Sequence, residues 1–186
     1  MDSPVISSDH LSVLDVDNSM HEECGIFGIY NHGESAAHTV LGLHALQHRG
    51  QEAVGIVSYN DGHFHTHKAI GLVGDNFNSQ DVINTLPGSM AIGHVRYSTS
   101  GEPMLRNVQP MFAEFKFGGL SIAHNGNLTN ANTLRRQLID QGSIFQSTSD
   151  TETIIHLIAT SRQTNVVDRM IDAFRQVVGA YSLVAL

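Results

Sequence analysis

Four short stretches hold residue types and spacings that chemistry could use. Cys24 is the only cysteine, and it opens the apolar run Cys24-Gly25-Ile26-Phe27-Gly28 directly after a polar leader. A lone thiol is most often a small buried hydrophobe. If the leader were removed, however, the freed α-amine of Cys24, with a pKa near ~8, would be a general base for the thiol of the same residue. Arg96, in Gly93-His94-Val95-Arg96-Tyr97-Ser98-Thr99-Ser100-Gly101, ends an apolar run and enters a Gly/Ser loop. Such a guanidinium can grip a planar anion by two parallel hydrogen bonds, or sit in a surface ion pair worth less than ~1 kcal/mol. In His124-Asn125-Gly126-Asn127, Asn-Gly reads either as a turn or as the amide side chain and exposed N–H of an oxyanion hole. Ser149-Asp150-Thr151-Glu152 leads a helical pattern, so Asp150 reads as an N-cap or as a carboxylate that holds an ammonium group. Together these groups describe a pocket for a free amino acid bearing an acyl group to be attacked.

The elements that must carry them follow from periodicity. Strands are predicted over 25–30, 53–59, 63–70, 90–97, 112–117, 120–124 and 180–186. Helices are predicted over 36–47, 79–86, 130–141, 151–161 and 166–178, with Gly50, Pro87-Gly88 and Gly142 as stop signals. Asn60-Asp61-Gly62 marks a hairpin, and 98–111 reads as a loop. Strands joined mostly by hairpins, with helices between groups of strands, predict an α+β fold. The final apolar strand, 180–186, looks like the inside of a domain whose next strands are expected beyond it; the plainer reading is an ordinary edge strand.

Composition excludes several classes. The chain has 186 residues, 41% of them apolar and 15% charged, which fits a globular domain and not a disordered segment. No apolar run approaches the ~18 residues of a membrane span. A formal net charge of -8 argues against general nucleic-acid binding. A single cysteine forms neither an internal disulfide nor a four-thiolate metal site. Much of the negative charge sits in the leader: Asp2, Asp9, Asp15, Asp17, Glu22 and Glu23 face no Lys or Arg before Cys24. That leader has no basic and apolar regions of a secretory signal, and is either a tail or a removable segment. His63, His65 and His67 alternate along a strand and could form a metal site, although exposed polar alternation is the commoner reason for the pattern. His124 invites a Cys–His dyad and is read instead as local support. Met90, Met104, Met111 and Met170 are read as core filler.

Longer stretches carry a resemblance. Cys-Gly-Ile-Phe-Gly-Ile-Tyr (24–30), Leu-Gln-His-Arg-Gly-Gln-Glu-Ala-Val-Gly-Ile (46–56), Gly-Leu-Val-Gly-Asp-Asn-Phe (71–77), Ile-Gly-His-Val-Arg-Tyr-Ser-Thr-Ser-Gly (92–101), Asn-Val-Gln-Pro (107–110), His-Asn-Gly-Asn-Leu-Thr-Asn (124–130) and Ser-Asp-Thr-Glu (149–152) resemble, in order, the class II (N-terminal nucleophile) glutamine amidotransferase domain. The wording favours the branch that supplies ammonia to phosphoribosyl pyrophosphate at the first step of purine biosynthesis. The branch that makes glucosamine 6-phosphate would be expected to show Tyr-Arg-Gly-Tyr-Asp and Arg-Trp-Ala-Thr-His.

The resemblance implies an N-terminal nucleophile hydrolase fold, an αββα four-layer sandwich that is C-terminally truncated here. It implies a propeptide over 1–23, removed autocatalytically, and an amidotransferase domain over 24–186, with a phosphoribosyltransferase domain expected beyond. Cys24 would be the nucleophile, Asn125 and Gly126 the oxyanion hole, Arg96 the partner of the glutamine carboxylate and Asp150 that of its α-amine. Tyr97 to Asn107 would be a mobile glutamine loop, with Tyr97 and Thr99 lining the pocket and Arg49 near the substrate. The implied partners are L-glutamine and phosphoribosyl pyrophosphate, with no nucleic acid or membrane, in a cytoplasmic homo-oligomer. No cofactor or metal is expected in this segment; Mg2+, and in some members a 4Fe-4S cluster, would lie beyond residue 186. Two rivals stay open on the sequence: another class II amidotransferase, or a non-enzymatic binding module whose leader is never removed.

Overall fold

The computed structural model describes residues 24–97 and 104–186. The propeptide assigned to 1–23, and Thr99, lie outside the described residues.

Strand β1 (Gly25–Tyr30) leads into helix α1 (Ser35–Ala45) and a 3-10 turn at Gln47–Arg49. Strands β2 (Ala53–Asn60) and β3 (His63–Ile70) form the expected hairpin, turning through Asp61 and Gly62 at φ 47 and 84, the left-handed values such a two-residue turn demands. Two short helices, α2 (Val73–Asn76) and α3 (Gln80–Asn84), precede β4 (Met90–Arg96). After a 3-10 turn at Leu105–Asn107 come β5 (Met111–Phe115), β6 (Gly118–Leu128), α4 (Ala131–Asp140), α5 (Asp150–Thr160), α6 (Val166–Phe174) and β7 (Gly179–Ala185).

The strands make two antiparallel sheets, ordered β1-β4-β2-β3 and β5-β6-β7. Helix α1 covers the first sheet, α5 covers the second with α4 and α6 packed on it, and the sheets meet through β4, β6, β1 and β7. This is the αββα arrangement, with an apolar core on the helix side of each sheet. One core joins Leu43 of α1 to Val54, Ile56, Ala91 and Val95. The other joins Ile122 and Leu128 of β6 to Leu134, Leu138, Ile154 and Ile158. Because Ala91 and Val95 pack under α1, alternation turns Ile92, His94 and Arg96 of β4 toward the second sheet.

Two elements and one residue differ most from the sequence expectation. Strand β6 runs on through Asn125, Gly126 and Asn127 instead of turning at Asn-Gly. Its pairing with β7, with Gly126 opposite Tyr181, overrides the local turn preference. Helix α6 stops at Phe174 because the Asn130 side chain takes the backbone that would continue it, donating to the Gln176 carbonyl at 2.8 Å and accepting from Val178 N–H at 2.9 Å. Met104 is 42% exposed, whereas Met111 is a core residue.

Candidate active site

A cavity of about 380 Å³ opens where β4, β6 and the N-terminus of α5 converge, and its lining includes Cys24, Arg96, Tyr97, His124, Gly126 and Asp150. Residues scattered over more than a hundred positions of sequence thus line one cavity.

Cys24 sits just before β1, half-buried, with backbone φ 48. Its thiol points at the Tyr97 carbonyl, 3.8 Å away. Arg49, from the 3-10 turn, donates through Nε to the Cys24 carbonyl at 2.9 Å. The sequence expectation set Arg49 beside the substrate; the cavity is not lined by it, and the side chain instead holds the backbone of the cysteine.

Arg96 closes β4 and enters the cavity on an ion pair, Nη1 to Oε1 of Glu52 at 2.9 Å, with both side chains less than a fifth exposed. The strand register explains the meeting: Ala53 lies opposite Arg96, and the Glu52 N–H donates to the Arg96 carbonyl. A guanidinium has five N–H donors, so one bond to Glu52 orients the fork without exhausting it. Tyr97 follows on the cavity wall, 44% exposed.

On the opposite wall, Gly126 lies at φ 139, and a Cβ there would stand 2.3 Å from the Ala180 carbonyl, so only glycine fits. Asn125 is half-buried on β6 and does not line the cavity; strand alternation faces it away from His124 and Gly126. The structure therefore brings Gly126 into the same cavity lining as Cys24, Arg96 and Asp150, but not the side chain of Asn125.

Asp150 is the first residue of α5, and the cap of that helix is Ser149, whose Oγ accepts from Thr151 N–H at 3.3 Å. Asp150 is thus free of the capping duty. Its carboxylate accepts from Leu128 N–H at 3.3 Å and lies 3.6 Å from Nδ1 of buried His124. Burial opposes its ionisation, but the hydrogen bond and charge of His124, with the N–H groups of Leu128 and Thr151, outweigh that and hold the carboxyl below its ordinary range. The His124 ring is engaged with Asp150 and, at 3.4 Å, with Thr151 Oγ1, and its Nε2 has no hydrogen-bond partner among the described residues. It supports Asp150 rather than the thiol.

Sequence reasoning did not assign Glu52, Asn107, Gln109 or Glu152. Glu152 accepts from Gln146 N–H (2.7 Å), Ser147 N–H (2.8 Å) and Ser147 Oγ (2.6 Å), fixing the loop that presents Asp150. The Ser149-to-Glu152 spacing is that of a capping box and could have flagged it. The alternating histidines have local roles: His67 packs edge-on to Phe77, and His63 Nδ1 lies 2.9 Å from the Asp61 carbonyl. No cluster of three or more His, Cys, Asp or Glu with metal-binding geometry occurs among the described residues. None of the described helices is long and apolar enough to cross a membrane.

Comparison with known proteins decides the family. The sequence pattern of the glutamine amidotransferase domain family matches residues 94–186. The chain is 46% identical over 167 residues to an amidophosphoribosyltransferase of Lacticaseibacillus casei, covering 90% of this chain and 86% of that sequence. The chain belongs to the amidophosphoribosyltransferase family. An amidophosphoribosyltransferase of Rhizobium etli is 58% identical over 169 residues, which are 91% of this chain and 34% of the relative. A solved structure described as the glutamine phosphoribosylpyrophosphate amidotransferase of B. subtilis, complexed with ADP and GMP, superposes with a TM-score of 0.80 at 42% identity, covering 87% of this chain and 34% of that one. The chain therefore spans about a third of the length of these two amidophosphoribosyltransferases. The αββα layers seen here are those of the N-terminal nucleophile amidotransferase fold.

Proposed function

We propose that this chain is the glutamine-hydrolysing, ammonia-donating part of an amidophosphoribosyltransferase, which makes 5-phosphoribosylamine from phosphoribosyl pyrophosphate and glutamine at the first step of purine biosynthesis. The observation that carries the reading is the convergence of Cys24, Arg96, Gly126 and Asp150 on one cavity from separate elements. Arg96, steadied by Glu52, takes the α-carboxylate of glutamine, and Asp150, kept ionised by His124, takes the α-ammonium. That grip on the backbone end of the amino acid leaves its side-chain amide to the thiol of Cys24.

The thiolate attacks the amide carbon. The carbonyl oxygen becomes an oxyanion, stabilised by the Gly126 N–H, with Asn125 as second donor; this second role rests on the sequence resemblance, because the Asn125 side chain faces off the cavity. Removing one such donor costs roughly 3–4 kcal/mol in comparable sites. The α-amine of Cys24, freed by removal of 1–23, carries the thiol proton to the leaving nitrogen, and ammonia departs. Water then attacks the glutamyl thioester, releasing glutamate and restoring the thiol. Tyr97 lines the glutamine pocket, Thr99 is assigned to it by the sequence resemblance, and Arg49 serves the nucleophile through its carbonyl.

The nucleophile, acid–base group and oxyanion donors of this half-reaction are all side-chain and backbone groups, so it calls for no cofactor; Mg2+ and any 4Fe-4S cluster belong to sequence beyond residue 186. The whole enzyme is proposed to be a cytoplasmic homo-oligomer.

The test is Cys24→Ala in the processed, full-length enzyme. Glutamate release from glutamine should vanish while synthesis from free ammonia persists. Undiminished glutamate release would overturn the reading. In parallel, N-terminal mass should show Cys24 first in the active enzyme, and a form with an uncleavable leader should be inactive.

A further inference from the structure

The Asn-Val-Gln-Pro stretch at 107–110 has no part in the chemistry above, yet two of its side chains reach two different walls of the cavity. Gln109 is 6% exposed. Its Nε2 donates to the His124 carbonyl at 3.2 Å, and its Oε1 accepts from the His124 N–H at 2.7 Å. One amide thus satisfies both backbone groups of one residue of β6. The reason lies in the register. Strand β5 pairs with β6 from Phe115 opposite Gly118 to Met111 opposite Ile122. Continued by two residues, it would set Gln109 opposite His124. The strand has ended there, and the side chain makes the pair the backbone would have made. A buried backbone N–H or C=O left unpaired is costly, so this substitution fixes where β6 runs just before Gly126.

Asn107, 7% exposed, holds the other wall through one backbone group and one side chain of a single residue. Its Nδ2 donates to Thr148 Oγ1 at 2.9 Å, and its Oδ1 accepts from Thr148 N–H at 3.0 Å. Thr148 stands two residues before Asp150. The segment that carries both amides is itself pressed against the first sheet: a Cβ at Gly55 of β2 would stand 2.1 Å from the Gln109 carbonyl.

We propose that Asn107 and Gln109 form a paired clamp that sets the separation of the two halves of the glutamine site: Gln109 positions the β6 wall that carries the oxyanion donor, and Asn107 positions the loop that carries Asp150. Both are positioning residues: Gln109 acts through the backbone of His124, and Asn107 through the backbone N–H and hydroxyl of Thr148. The roles given to the two walls rest on the glutaminase reading; the clamp geometry does not.

The division of labour gives distinguishable outcomes. Gln109→Met keeps the bulk and loses both bonds, so glutamate release in the processed full-length enzyme should lose at least about tenfold in kcat, with the glutamine KM within about threefold of wild type. Asn107→Leu should do the converse, raising KM at least about tenfold through Asp150 with kcat little changed. Gln109→Glu adds a readout that a merely structural role would not move. Its neutral carboxylic acid can both donate to the His124 carbonyl and accept from the His124 N–H, whereas its carboxylate can only accept. Its activity relative to wild type should therefore rise as pH falls from 8 to 6. Equal kcat and KM changes in the Met and Leu variants, or a flat relative pH profile for Gln109→Glu, would overturn the assignment. Amide hydrogen exchange reads the clamps whatever the activity: Gln109→Met should speed exchange at least about tenfold in peptides containing His124, and Asn107→Leu in peptides containing Thr148. Wild-type exchange rates in both variants would refute the clamp, whereas a wild-type enzyme that releases no glutamate, with these changes still present in the two variants, would refute only the glutaminase reading.

Discussion

Single side chains divide the labour of the site by charge. Arg96 and Asp150 stand on the same cavity with opposite signs, each with a steadying partner, Glu52 for one and His124 for the other. Hydrogen bonds to charged groups are worth about 1.5–3 kcal/mol, so losing the planar fork in Arg96→Lys, or the charge in Asp150→Asn, should raise the apparent glutamine KM by roughly tenfold or more at ~1.4 kcal/mol per decade. Steady-state glutamate release measures this, and unchanged KM values would make both residues structural. Arg96 and Asp150 were legible in the sequence because each sits at the end of a recognisable element. Glu52 was not, because it meets Arg96 only through the pairing of β2 with β4 across 44 residues of chain. Local pattern carries no information on that register.

At the level of elements, β6 is the one on which the site depends most. It was expected to end at His124, since Asn-Gly is a strong turn signal, but the partner strand β7 carries it on to Leu128. The sequence held the reason in a disguised form: Gly126 is needed because the strand passes it at φ 139, with the Ala180 carbonyl where a side chain would be. Gly126→Ala should therefore destabilise the domain by more than ~1 kcal/mol, lowering Tm by at least roughly 2–4 °C, and should abolish glutamate release even where the variant stays folded. A thermal melt and an activity assay together check both parts. The hairpin β2–β3 and helices α4 and α5 were readable from periodicity and turn residues alone. The early end of α6 was not, because the residue responsible, Asn130, lies 46 positions before the carbonyl it binds.

Across the whole molecule, the α+β pattern was visible in the order of strands and helices, while the layering came from motif resemblance and not from periodicity. What periodicity could least foresee is the polar material enclosed with the sheets. His94 is fully buried on the inter-sheet face of β4. Burial first, then the charges of His124, Arg96 and Lys68, push its pKa down to about 3, and neither ring nitrogen has a hydrogen-bond partner among the described residues. The folded protein therefore keeps this imidazole neutral, whereas the unfolded chain protonates it below about 6.5. The unfolded state binds the extra proton between those values, so stability is full above pH ~6.5 and declines as pH falls toward 3. Melting temperature measured from pH 7.5 down to 4 should fall steeply in the wild type and more shallowly in His94→Leu. Parallel curves would show that another group governs acid unfolding.

The bond from Arg49 to the carbonyl of Cys24 also bears on how such a chain could mature. A newly cut terminus normally frays, because nothing beyond it restrains the first residue. Here the anchor grips Cys24 on its C-terminal side, and β1 begins at the very next residue. Scission of the peptide bond before Cys24 would turn an amide nitrogen into a basic amine without loosening the thiol beside it. Arg49 would then act as a mooring that lets the chain be cut at its most reactive residue while that residue stays in register with the cavity. An Arg49→Met enzyme should accordingly complete the cut yet turn over glutamine slowly, its first residue drifting where the wild-type one is held.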